Sequence, residues 1–225
     1  MDSGFGVSEL AAALLGALIG AVSGAVLSWK LGQVTVDRAT KKQNLRSLRR
    51  TILVVCMYND YCWSLWCQHL EEHYDKPDRD SRLPEISVDL DPPILDVNSI
   101  LFLIEEKAPQ LLLEVQQVRD FMSSVVGHLR RRNEIQRELR ERSKFLSVDP
   151  QTGRSEVVQP IELAVLSRQV TDSVYESTRE TLSLTVKLIS RLQEVHSLSF
   201  PGEKPLNIEL GFKGWSARNA SASRS

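Results

Sequence analysis

The sharpest constellation in the sequence is His69-Leu70-Glu71-Glu72-His73. It fits H-x-x-E-H, in which two histidines one turn apart hold zinc and the glutamate acts as base. On a helix, that spacing places both imidazoles on one face. A catalytic zinc also needs a third protein ligand and an open position. The other histidines, His128 and His196, stand in no motif, although the acidic stretch after His73 offers carboxylates. A zinc-dependent hydrolase built on His69, Glu72 and His73 is therefore the alternative reading. The primary reading makes His69 the end of an apolar helical seam and expects no metal, no cofactor and no enzyme.

Other chemistry is harder to find. Cys56, Cys62 and Cys67 are odd in number and have no paired-thiol spacing. Such usage fits a reducing compartment with free, mostly buried thiols. No glycine-rich phosphate loop of either common type occurs, and no G-x-S-x-G elbow presents a serine. No Glu-x-x-His pair exists for a di-iron bundle. Asn219-Ala220-Ser221 is a formal glycosylation sequon. The formal net charge of −1 predicts no nucleic-acid partner, and no aromatic residues interleave the basic clusters.

The element that must position everything else is residues 10–29, LAAALLGALIGAVSGAVLSW, which contains no charge. About 20 apolar residues cross a hydrocarbon core of ~30 Å as a helix, and a helix satisfies its own backbone in lipid. A cleaved signal would carry a basic start, but Met1–Leu10 holds Asp2 and Glu9 without Lys or Arg. The span is followed by Lys30, Arg38, Lys41, Lys42, Arg46, Arg49 and Arg50 against one Asp37. Positive flanks resist translocation, so the short N-terminus (1–9) is expected outside and the remainder in the cytoplasm. Gly16, Gly20 and Gly24 recur every four residues and share one helix face, a glycine zipper along which a second copy can approach. A membrane-perturbing effector acting through the same row is a further alternative.

Residues 30–215 then read as one cytoplasmic helical domain, with 216–225 a frayed tail. A first helix over about 38–73 has the seam Leu45, Leu48, Ile52, Val55, Asn59, Cys62, Trp66 and His69, stepping by three and four as in a coiled coil. Pro77, Pro84, Pro92 and Pro93 end it in an acidic loop, 74–95, within which EISVDL could pair as a strand. Asp96 suits the N-cap of a short helix over 97–106. Pro109 starts the next, 109–143, whose seam is Leu111, Val115, Val118, Met122, Val125 and Leu129. DPQTG turns the chain within 145–158. A last helix over 160–197 carries Leu163, Leu166, Val170, Val174, Leu182, Ile189 and Leu192, and Phe200-Pro201-Gly202 stops it. Alternating Leu206, Ile208, Leu210 and Phe212 suggest a short extended tail.

The fold expected is all-α: a transmembrane helix followed by an antiparallel bundle of three long helices, the second broken near Pro109. If the second helix returns toward the bilayer, its basic end joins the first cluster at the anionic lipid surface. Lys30, Lys41, Lys42, Arg46, Arg49, Arg50, Arg130, Arg131 and Arg132 are then the membrane-surface residues, and the acidic loop lies at the far end.

The Gly/Ala-rich span with KK and RR behind it, the ILFLIEEKAPQLLLEV break-and-restart and the closing FPGEKPLNIEL resemble a loose class of bacterial single-pass inner-membrane proteins. That resemblance implies a membrane-tethered helical domain and supplies no catalytic residues. The expected partners are the lipid bilayer, a second copy of the chain and a protein partner of unknown identity. The expected function is a membrane-anchored, self-associating interaction or scaffold protein.

Overall fold

The computed structural model describes residues 7–86, 92–104, 108–148, 155–204, 206 and 208. The chain is mostly helical and divides into two compact units, Met1–Arg46 and Ser47–Ser225. The first helix, α1 (Val7–Leu65), contributes to both. It runs unbroken across residues 30–37, between the expected span and the expected first helix, and there Thr35 Oγ1 donates to the carbonyls of Leu31 and Gly32, each at 2.8 Å.

Within the first unit, α1 is long and apolar enough to cross a membrane. Leu15, Leu18, Ile19, Val22, Leu27 and Trp29 are each more than half exposed. Ser23, one of two serines within this run, donates to the Ile19 carbonyl at 2.7 Å and so satisfies its hydroxyl inside the helix. Residues 30–43 are also exposed, and burial sets in beyond them.

The second unit is built from the end of α1, a short α2 (Arg79–Arg82), α3 (Pro109–Arg142) and α4 (Ile161–Ser199). On α1, Leu48, Ile52, Val55, Asn59 and Cys62 are buried, as is Trp66 just beyond its end, and on α3 so are Leu111, Val115, Val118, Met122, Val125 and Leu129. These are the seams read from the sequence, and each fully buried Leu, Ile or Val contributes ~1.5–3 kcal/mol. Pro109 sits in the first turn of α3, where its missing N–H costs nothing. Val97–Ile104 is a 3-10 segment kinked at Ile100, tighter than the α-helix expected there. Asp96 Oδ1 accepts from Asn98 N at its start.

α4 departs from expectation in composition. Leu163, Leu166 and Val170 are only half-buried, while Ser167, Thr171, Thr178, Thr181 and Thr185 are buried beside Val174, Leu188 and Leu192. The latter set steps by three and four, so hydroxyl residues fill much of the seam. Thr178, Thr181 and Thr185 each donate to the carbonyl four residues back at 2.7–2.8 Å, which lets them pack as apolar side chains do. In place of a plain turn, α3 and α4 are joined by an antiparallel hairpin, β1 (Lys144–Val148) with β2 (Ser155–Val158), bulged between Phe145 and Ser147.

Helix direction differs from the antiparallel order expected for the three long helices. Glu114–Arg191, His128–Ser177, Arg132–Thr171 and Gln136–Ser167 contacts set α3 antiparallel to α4. Arg49–His196, Asn59–Thr185 and Leu70–Tyr175 contacts do the same for the α1 side. The α1 end and α3 therefore run in the same direction, with Cys62 Sγ 3.8 Å from Met122 Sδ between them. The connection 74–108 makes this possible, because it is long enough to carry the chain back along the unit before α3 begins. The strand expected over EISVDL lies mostly on 87–91, outside the described residues, as do 210–212 and 216–225.

Candidate functional site

The H-x-x-E-H motif does not sit on a regular α-turn. After Leu65 the helix widens into a π-turn, Trp66–Leu70, where Glu71 N–H reaches back five residues to the Trp66 carbonyl. It then tightens into a 3-10 turn, Glu71–His73. The shared face expected for His69 and His73 depends on α spacing, which these turns replace. His69 and His73 are half-buried and Glu72 is exposed. Glu72 lies 3.6 Å from Lys76, while His73 Nδ1 is enclosed without a hydrogen-bond partner. No group of three His, Cys, Asp or Glu side chains able to hold a metal occurs among the described residues.

What this turn builds is an aromatic corner. The Leu70 carbonyl accepts from Tyr175 Oη at 3.0 Å. Trp66, Tyr74 and Tyr175 stand 5.4–6.1 Å apart, centroid to centroid. The Arg79 guanidinium lies over the Tyr175 ring at 4.7 Å while Nη2 bonds Asp172 at 2.6 Å. A surface hollow of about 240 Å³ opens beside it, lined among others by Tyr74, Arg79, Arg168 and Asp172.

Beside this corner, Arg132 is fully buried. Its guanidinium donates to the carbonyls of Pro84 (2.8 Å), Asp80 (3.3 Å) and Leu83, and to Thr171 Oγ1 (3.3 Å). Five fixed donors let one arginine satisfy several carbonyls that the short α2 and its exit leave open. Gln136 adds a bond to the Asp80 carbonyl and Asn133 one to Ile86. Glu85 bridges Arg137 and Arg140 at 2.8 and 2.7 Å. Hydrogen bonds from Arg137 first and Arg140 second hold its carboxyl below the usual range.

This geometry corrects the expected electrostatic layout. Arg132 cannot meet lipid, being enclosed. Arg130 and Arg131 are exposed, but they lie at the same end of the unit as the 74–86 loop. That end is ~37 Å along α4 from the Arg49–His196 contact, counting 1.5 Å per residue. The physical cause is the shared direction of α1 and α3. Arg49 is also engaged inside the unit, with His196, Glu203 and Lys204. Lys30, Lys41, Lys42, Arg46 and Arg50 are exposed. A Cβ placed on Gly16, Gly20 or Gly24 would meet nothing within 4 Å, so the glycine face is open in a single chain.

Burial pushes the Cys62 thiol up to about 12 and the Cys56 thiol up to about 11. Both stay protonated at neutral pH, which disfavours nucleophilic or ligand roles. Sequence reasoning assigned Arg132 to the lipid surface and missed the Arg79–Asp172 pair. For Arg132 a signal existed: it stands three residues after Leu129, in phase with the α3 seam. Comparison of the chain with family models, with curated proteins and with solved structures finds no match, so the functional reading rests on its own residues.

Proposed function

We propose that this chain is a membrane-anchored, self-associating, non-enzymatic interaction protein. In this reading residues 10–29 span the inner membrane, with the N-terminus outside and the helical unit in the cytoplasm. The observation that supports it is the run of exposed large apolar side chains from Leu15 to Leu31 on a helix long enough to span. In water so contiguous an apolar surface is a liability, whereas in lipid it is the source of insertion free energy. The exposed Lys30, Lys41, Lys42, Arg46 and Arg50 behind it favour cytoplasmic retention of that flank.

The open glycine row supports self-association, since small residues in phase allow close helix approach. Asp78 and Glu85 of the acidic loop are already paired with Arg82, and with Arg137 and Arg140. The surface that binds a protein partner is therefore better sought elsewhere than in these carboxylates. The self-association reading is tested by Gly20→Leu in the full chain, with association followed by cross-linking in membranes. Loss of the oligomer is expected. An unchanged distribution removes the glycine row from the account.

A further inference from the structure

α4 ends at Ser199 and the chain folds back. Phe200 N donates to the His196 carbonyl and Glu203 N to the Phe200 carbonyl, both at 3.1 Å. Gly202, at φ 94°, supplies the left-handed residue of this turn. Two side chains then hold the returning segment. Gln193 Nε2 donates to the Leu206 carbonyl at 3.2 Å. Arg49 Nη2, from α1, donates to the Lys204 carbonyl at 3.1 Å and to Glu203 Oε2 at 3.3 Å.

The same guanidinium donates through Nε to His196 Nε2 at 3.3 Å. His196 is 2% exposed, and its ring lies 6.0 Å from that of Phe200, which meets Phe102 at 6.4 Å. Arginine has donors only, so Nε2 must be an acceptor and the imidazole neutral, with its proton on Nδ1. One arginine thus joins α1, the last turn of α4 and the returning segment, and its orientation depends on an uncharged ring.

We propose that Arg49 and His196 form a proton-operated latch on the segment after α4. Neutral His196 holds Arg49 across Glu203 and Lys204. Protonation turns Nε2 into a donor facing another donor, places two cations side by side, and releases the segment. Among the described residues, the charged groups facing the ring are Arg49 from α1 and Glu203 from the returning segment, while Phe200 and Phe102 are uncharged. Burial, then the Arg49 charge, favour the neutral ring, and Glu203 opposes them. The unfolded chain therefore binds the proton more readily. The latch is fully closed above the ordinary histidine value of about 6.5 and weakens as pH falls below it.

The test is hydrogen exchange of the full chain in detergent, corrected for intrinsic rates, on peptides covering Phe200 and Glu203. Protection in the wild type should fall by about tenfold between pH 7.5 and pH 5. His196→Gln, which keeps an acceptor but cannot titrate, should stay protected at both, and Glu203→Gln should retain the pH dependence. Equal opening of His196→Gln and wild type at pH 5, or no opening of the wild type, overturns the proposal. Should His196→Gln fail to fold, the ¹⁵N shifts of wild-type His196 decide instead. A neutral ring protonated at Nδ1 with a midpoint below about 6.5 supports the latch, and a ring already charged at pH 7 overturns it.

Discussion

Arg132 on α3 donates to the Pro84 carbonyl at 2.8 Å from a site with no solvent exposure. Among the described residues, no carboxylate is hydrogen-bonded to its guanidinium. Main-chain carbonyls and a threonine hydroxyl carry it instead, so the charge is held by the loop it orders.

Removing this side chain leaves the Leu83 and Pro84 carbonyls without this donor, while the Asp80 carbonyl keeps only Gln136 among the described residues. Arg132→Met should destabilise the protein by about 3 kcal/mol, the scale of a broken buried polar network. Arg132→Lys should recover only part of that, because an ammonium lacks the planar fork. Thermal unfolding in detergent, followed by circular dichroism, reads both. A melting temperature unchanged in Arg132→Met contradicts the assignment.

Asn59 behaves oppositely. Its Nδ2 donates to Thr185 Oγ1 at 2.8 Å, but its Oδ1 is buried without a partner. Thr185 keeps its own donation to the Thr181 carbonyl whatever occupies position 59. Asn59→Leu should therefore be neutral or stabilising by about 1 kcal/mol, since it removes an unsatisfied acceptor. The same melting experiment checks the sign, and a clear drop in melting temperature argues that Asn59 sets register at this seam.

Glu85 gives the loop a pH dependence. Its folded carboxyl titrates below the unfolded one because Arg137 and Arg140 hold it ionised. The stabilisation is complete above the unfolded value, about 4.3, and is lost as pH falls through the lower folded one. Exchange protection of the 79–86 amides should drop in acid and in high salt, because the pair is exposed and screened. Glu85→Gln should remove both dependences. Persistence of the acid response in that variant assigns it to another group.

Much of this fold was legible because its signals are apolar and periodic. The long apolar N-terminal helix, the α1 and α3 seams and the start of α3 at Pro109 all follow from spacing and from proline's missing donor. The α4 seam was harder to read, because Thr171, Thr178, Thr181 and Thr185 count as polar in a hydropathy pattern. A threonine whose hydroxyl is satisfied within its own helix packs like valine. The direction of α3 was misjudged because antiparallel neighbours are the rule only for short connections. About 11 extended residues suffice to cross ~37 Å, and the 74–108 connection is far longer. Arg132 was placed at the lipid surface because an arginine within a basic run reads as outward-facing until its carbonyl partners are known.

The central claim, that residues 10–29 lie in a membrane with the helical unit on the cytoplasmic side, has a native reporter. Cys67 is exposed, whereas Cys56 and Cys62 are buried with thiols pushed up to about 11 and 12. Intact cells expressing the full chain are treated with a membrane-impermeant maleimide, before or after permeabilisation, and membranes are then washed with alkaline carbonate. The account predicts a carbonate-resistant protein labelled at Cys67 only after permeabilisation. Recovery in the soluble fraction, or labelling of Cys67 in intact cells, contradicts it.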